Sequence, residues 1–305
     1  MTDVPPDDAA EDEYQLQAPP DPATVTEPTF GVFDQLAKVR KHVAAPRPRS
    51  TFFAGVFEFP WMPAVILRWA YMSVGFAVVL LLGAVAVAVA GQMGGPFGGA
   101  MAFFALPLFW LLLWVLSYAG ACALQVLEST AAGNSNEIDW PEPNWRDWAA
   151  KLIYLGFLFS VAAVAAFALA KLLNFLGLPV EWSMPVLIVL IYPVNILSAF
   201  YENSMWAVFS PALCIRLIRL AHETALFYAL TIGVWALVGI VSLIALRVSI
   251  FGALLAGPAI AAGVLITPRL MGRLLWRLQD APVKSKKIKP SAETPKIAER
   301  DMTAD

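Results

Sequence analysis

Asn195, Ser198 and Glu202 fall at i, i+3 and i+7, which puts an amide, a hydroxyl and a carboxylate on one face of a helix. Inside an apolar segment such a face could line an ion or proton path, with the carboxylate holding the charge and Pro193 opening the backbone nearby. Tyr192 lies one turn before these groups and Asn203 beside them. The same residues could instead form a hydrogen-bonded seam between helices, a common use of polar side chains in lipid. That common use favours the seam, with the path as the alternative.

A second polar feature runs from Glu128 to Lys151, ESTAAGNSNEIDWPEPNWRDWAAK, where Trp140, Trp145 and Trp148 alternate with Glu137, Asp139, Glu142 and Asp147. Carboxylates so grouped could bind a hard cation, but their spacing is not that of an EF-hand loop. Indole rings prefer the boundary between lipid and water, so docking of Trp140, Trp145, Asp147 and Trp148 at that boundary explains the composition better than a metal does. Enzyme motifs fail one by one. His222 and Glu223 have no second histidine at metalloprotease spacing, and His42 is the other histidine of the chain. There is no Gly-x-Ser-x-Gly elbow, no phosphate-binding Gly-Lys-Ser/Thr loop and no paired cysteines for zinc. No catalytic residue, metal, cofactor or nucleic-acid partner is therefore expected. Cys122 and Cys214 lie in or beside apolar runs, as in a reduced, disulfide-free protein.

The elements that must position these groups are membrane helices. Of 305 residues, 59 % are hydrophobic and 14 % charged, against roughly 25 % charged in ordinary globular chains. From Met72 to Leu127 there is no Asp, Glu, Lys or Arg at all. A helix needs about 20 apolar residues to cross a bilayer, and six segments meet that length: 70–90, 101–127, 152–170, 185–206, 226–246 and 248–266. Gly91 to Gly99 makes a turn between the first two, and Pro107 a tolerated kink. The fourth is the least regular, since it contains Pro193, Asn195 and Glu202. Arg247 alone separates the last two, which predicts an antiparallel hairpin. The expected fold is an all-α polytopic bundle over residues 51–280, flanked by disordered tails at 1–50 and 281–305.

Charge is segregated along the chain. Residues 1–34 hold nine acidic side chains and no basic one, with several prolines, a composition that cannot offset its ordering entropy. Such a start is unlike a cleavable signal peptide, so the first span is expected to act as its own anchor. Lys38, Arg40, Lys41, Arg47 and Arg49 follow, and Lys284, Lys286, Lys287 and Lys289 lie beyond the last span. Basic flanks of this kind attract anionic lipid headgroups. Six spans with a cytoplasmic N-terminus place 19 of the 21 Lys and Arg residues inside, leaving Lys171 and Arg247 outside. Both termini are thus expected in the cytoplasm, with an unidentified protein as a further partner through the acidic tail.

Three membrane-boundary features complete the reading. Ser210-Pro211 is a helix-start signature, and Arg216, Arg219 and Glu223 recur opposite Leu213, Leu217 and Leu220, as in a helix that lies flat at the interface. Arg269, Arg273 and Arg277 recur every four residues and are expected to snorkel from the last turns of the sixth span. Trp61, Arg68, Trp69 and Tyr71, with the stretch TFFAGVFEFPWMP, read as interfacial anchors; a Glu58–Arg68 pair is the alternative use of that arginine.

The runs LESTAAGNSNEIDWPEPNWRDWAAKLIYLGF and PVNILSAFYENSMWAVFSPALCIRLIRL resemble a family of bacterial polytopic membrane proteins of unknown function. The matching positions are Gly133, Asn134, Trp140, Pro141, Trp145, Asp147 and Trp148, then Leu197, Ser198, Ser204, Ser210 and Pro211, within residues 55–275. The resemblance implies about six helices with an acidic Trp-rich loop after the second, and no activity. Some relatives carry a metal-ribbon module, for which this sequence has no ligands.

Overall fold

The computed structural model describes residues 52–92, 98–133, 138–248 and 250–280. Every regular element among them is helical: α1 (Pro63–Gln92), α2 (Gly98–Ala131), α3 (Trp145–Asn174), α4 (Val180–Tyr201), α5 (Pro211–Arg219), α6 (Ala221–Val248) and α7 (Ala253–Asp280). One-turn 3-10 segments at Phe59–Trp61 and Ile250–Gly252 precede α1 and α7. Six helices, all but α5, are long and apolar enough to cross a membrane. The architecture is that of a polytopic helical bundle. The two tails and the Gly94–Gly95 part of the first turn lie outside the described residues.

Local chemistry sets the helix ends. The Asn144 side chain accepts from the Arg146 N–H at 3.2 Å and caps α3, whose first turn carries Asp147 and whose last carries Lys171, each of the sign that suits its end of the helix dipole. Past α3 the chain reverses at Gly177, whose φ of +86° belongs to the left-handed region that glycine enters without strain. Pro179 then leads into α4. Ser210 caps α5 through Leu213 N–H at 3.3 Å, with Pro211 at the first helical position.

Helix α7 is the hub. Half of its span is buried, against a third or less of each of the other five. It packs against α1, α2 and α6, while α3 and α4 form a pair joined to the rest largely through α2. Small residues permit the close approaches. A Cβ on Gly257 would sit 2.5 Å from the Ser73 carbonyl oxygen of α1, and one on Gly272 would sit 2.6 Å from Thr130 Cβ and 2.8 Å from the Leu127 carbonyl oxygen of α2. On α3, Leu158, Ala162, Ala166 and Ala170 form a buried stripe every fourth residue, the small-residue seam by which lipid-embedded helices pack.

Two apolar clusters result. One joins Val65, Met72 and Phe76 of α1 to Val115, Ala119 and Cys122 of α2 and Ala261 and Leu265 of α7. The other gathers Leu127, Leu158, Ile196, Leu197, Leu213, Phe227, Leu270 and Leu274 at the end of the bundle where α1, α3 and α6 begin. Phe52 and Val56 belong to this second cluster and Phe59 to the first, so the segment before α1 folds under the helices. Only its other side, with Phe53, Phe57 and Trp61, is exposed as interfacial anchors would be.

Four expectations change. The helix of the last span does not stop at 266 but runs to Asp280, so Arg269, Arg273 and Arg277 are built into the bundle's central helix. Arg269 does not snorkel: it is 1 % exposed, and its guanidinium carbon lies 4.1 Å from the centroid of the Phe59 ring. Helix α4 ends at Tyr201, not 206, because Glu202 takes the cap position and Asn203 adopts a φ of +50°. Finally, the flat helix stops at Arg219, since Leu220 leaves helical geometry (φ −101°, ψ 36°), and Glu223 falls in the first turn of α6.

Candidate functional site

The polar groups of the chain meet where α4 ends and α5 begins. Asn195 is buried and its Nδ2 donates to the Leu158 carbonyl of α3 at 3.3 Å. Ser198 is fully buried, and its Oγ accepts from the Ser210 backbone N–H at 3.2 Å. The Ser210 hydroxyl donates in turn to the Glu202 carboxylate while accepting from Leu213 N–H. Glu202 itself is exposed at the helix end. Asn195, Ser198 and Glu202 therefore do share one side of α4, and each already has a protein partner: a neighbouring helix or the chain segment that returns to start α5. The arrangement fastens α3, α4 and α5 together, as a seam would. Its carboxylate, Glu202, is exposed and not enclosed by the helices.

Beside this knot, the two arginines of α5 diverge. Arg216 stacks over Tyr201 at 5.2 Å and donates to the Leu278 carbonyl at 2.6 Å, satisfying one of the terminal carbonyls of α7. Arg219 is exposed, as are Met205, Trp206, Phe209, Ile215 and Ile218. The buried face of α5 is Leu213 and Leu217. An amphipathic element with apolar side chains still exposed beyond its packed face suits a boundary between water and lipid. Cys214 lies on α5, and partial burial raises its thiol pKa above the ordinary value.

Sequence reasoning missed a link between α6 and α7. Arg277 makes a two-pronged pair with Glu223, Nη2 to Oε1 at 2.6 Å and Nε to Oε2 at 3.2 Å. Both residues lay on the flanks assigned to one side of the membrane. That shared side was the available signal; the pairing itself needs the register of two helices far apart in sequence.

The Trp-rich loop is partly folded into the protein. Trp148 packs edge-on to Tyr118 (4.9 Å between centroids) and Trp114 (6.2 Å), and its Nε1 donates to the Glu142 carbonyl at 2.8 Å. Trp140 is half-buried against the α1–α2–α7 cluster. Trp145 is exposed with Arg146 over its ring, and Asp147 is exposed in the first turn of α3. Thus Trp145 and Asp147 remain available to the interface, whereas Trp140 and Trp148 act as packing. Glu137 and Asn134 lie outside the described residues, among which no group of three His, Cys, Asp or Glu is arranged to hold a metal. Arg68 does not lie against Glu58; its Nη1 points to the Tyr118 hydroxyl at 3.5 Å.

No family model matches the chain, and no curated protein or solved structure matches it either. Of the family resemblance, the coarse part stands: six helices of membrane-spanning length in one chain.

Proposed function

We propose that this chain is a non-enzymatic structural or interaction protein of the bacterial inner membrane, with both termini in the cytoplasm. Its basic flanks and α5 would fix it at an anionic lipid surface, and its acidic N-terminal tail would meet a protein partner. One observation carries the reading: the polar groups best placed for transport, Asn195, Ser198 and Glu202, are engaged in joining α3, α4 and α5. The segregation of Lys and Arg supports the orientation.

The competing reading makes those groups a permease path, and liposome flux separates the two. With ion and solute gradients imposed in turn, wild type and Glu202→Gln should both be silent. Flux by wild type that Glu202→Gln abolishes would replace the structural reading with transport.

A further inference from the structure

Helices α1 and α3 flank α2 without packing on each other, leaving a groove floored by α2. Tyr118 lies in its middle, between Tyr71 of α1 (6.5 Å between ring centroids) and Trp148 of α3 (4.9 Å). Arg68 enters from one wall, donating to the Tyr118 hydroxyl at 3.5 Å. Lys151 enters from the other. With the Gln125 amide turned to satisfy both of its ends, the Lys151 ammonium donates to Gln125 Oε1 and the Gln125 nitrogen to the Asp139 carbonyl, each at 3.2 Å.

Both cations reach into this groove. Arg68 is five residues into α1 and Lys151 six into α3, so at the helical rise they stand about 8 and about 9 Å from the same end of the bundle. No carboxylate of the described residues lies within ion-pair distance of either. Two partly buried cations with no carboxylate of the described residues in ion-pair reach lack full hydration and neutralisation, a cost that a shared anion removes. The exposed rings of Tyr71 and Trp114 and the exposed side chain of Val74 continue the groove toward the middle of the bundle. Aromatic rings at headgroup depth followed by aliphatic surface suit a molecule with an anionic head and hydrocarbon tails.

We propose that this groove binds one anionic phospholipid, its phosphate bridging Arg68 and Lys151 with the Tyr118 hydroxyl beside them. The proposal deepens the reading of this end of the bundle as facing an anionic leaflet: it adds a discrete site to a diffuse attraction.

Native mass spectrometry of the full chain released from nanodiscs of mixed phosphatidylglycerol and phosphatidylcholine tests it. One phosphatidylglycerol per chain should be retained in preference to phosphatidylcholine. Retention should fall at least tenfold in Arg68→Gln/Lys151→Gln and persist in Arg68→Lys/Lys151→Arg. Equal retention of the two lipids by wild type overturns the site without recourse to any variant, and so does undiminished retention by a double-Gln protein that elutes as wild type does. Displacement by millimolar inorganic phosphate would make it a site for free phosphate and overturn the lipid. Neutralising Lys284, Lys286, Lys287 and Lys289 should weaken binding to anionic vesicles and spare the retained lipid. An unchanged vesicle affinity there would count against the flank reading alone.

Discussion

Ser210 carries more of the α4–α5 junction than the carboxylate beside it. Its backbone N–H is received by buried Ser198, while its hydroxyl caps α5 and donates to Glu202. Ser210→Ala removes the cap acceptor and a donor together, a loss of about 1–2 kcal/mol on the scale of helix caps. Glu202→Gln keeps a side-chain oxygen that can accept from Ser210 at an exposed position, so it should change stability much less. Thermal unfolding in detergent should rank Ser210→Ala well below Glu202→Gln, which should lie close to wild type. The reverse order would mean that the charge of Glu202 matters for more than holding the junction. The Glu223–Arg277 pair differs in kind. Both partners are partly solvated, so its strength is discounted by screening, and its two-pronged geometry serves to fix the register of α6 on α7.

Among the elements, α7 depends most on what its glycines lack. Gly257→Ala puts a methyl group 2.5 Å from a carbonyl oxygen of α1, which no rotamer change can relieve, so the two helices must separate. Overpacking of this sort costs about 1–3 kcal/mol. Gly83 of α1 has nothing within 4 Å of the same added atom, and Gly83→Ala should gain up to about 1 kcal/mol from helix propensity. Opposite shifts in detergent stability are expected from one substitution type in two membrane helices. A neutral Gly257→Ala would show that α1 and α7 do not meet as described. This contrast also marks what a sequence can disclose. Six spans were legible because length and apolarity are properties of one segment at a time. Their order of importance was not, because burial of α7 depends on which helices surround it. Its arginines looked like a solvated end for the same reason: Phe59, which covers Arg269, lies in a stretch that reads as an interfacial anchor. Likewise the i, i+3, i+7 face of α4 was visible, but its partners Leu158 and Ser210 come from elsewhere in the chain.

For the whole molecule, the proposed six crossings would put the two termini on one side, and the two cysteines can report which side that is. Cys122 is fully buried between α1 and α2, out of reach of a reagent in water. Cys214 is partly accessible on α5, at the end of the bundle where α6 begins and α7 ends. With a cytoplasmic N-terminus, a membrane-impermeant maleimide should label inverted vesicles and leave intact spheroplasts unlabelled. Cys214→Ser should abolish the signal, and Cys122→Ser should leave it unchanged. Burial raises the Cys214 pKa, which lowers the reactive thiolate fraction at neutral pH. Labelling near pH 7 should thus be slower than for a free thiol and continue to accelerate above the pH where an ordinary cysteine levels off. Labelling of Cys214 in intact spheroplasts would invert every crossing at once, move the Arg68–Lys151 groove to the opposite leaflet, and leave the segregation of the basic residues without its explanation.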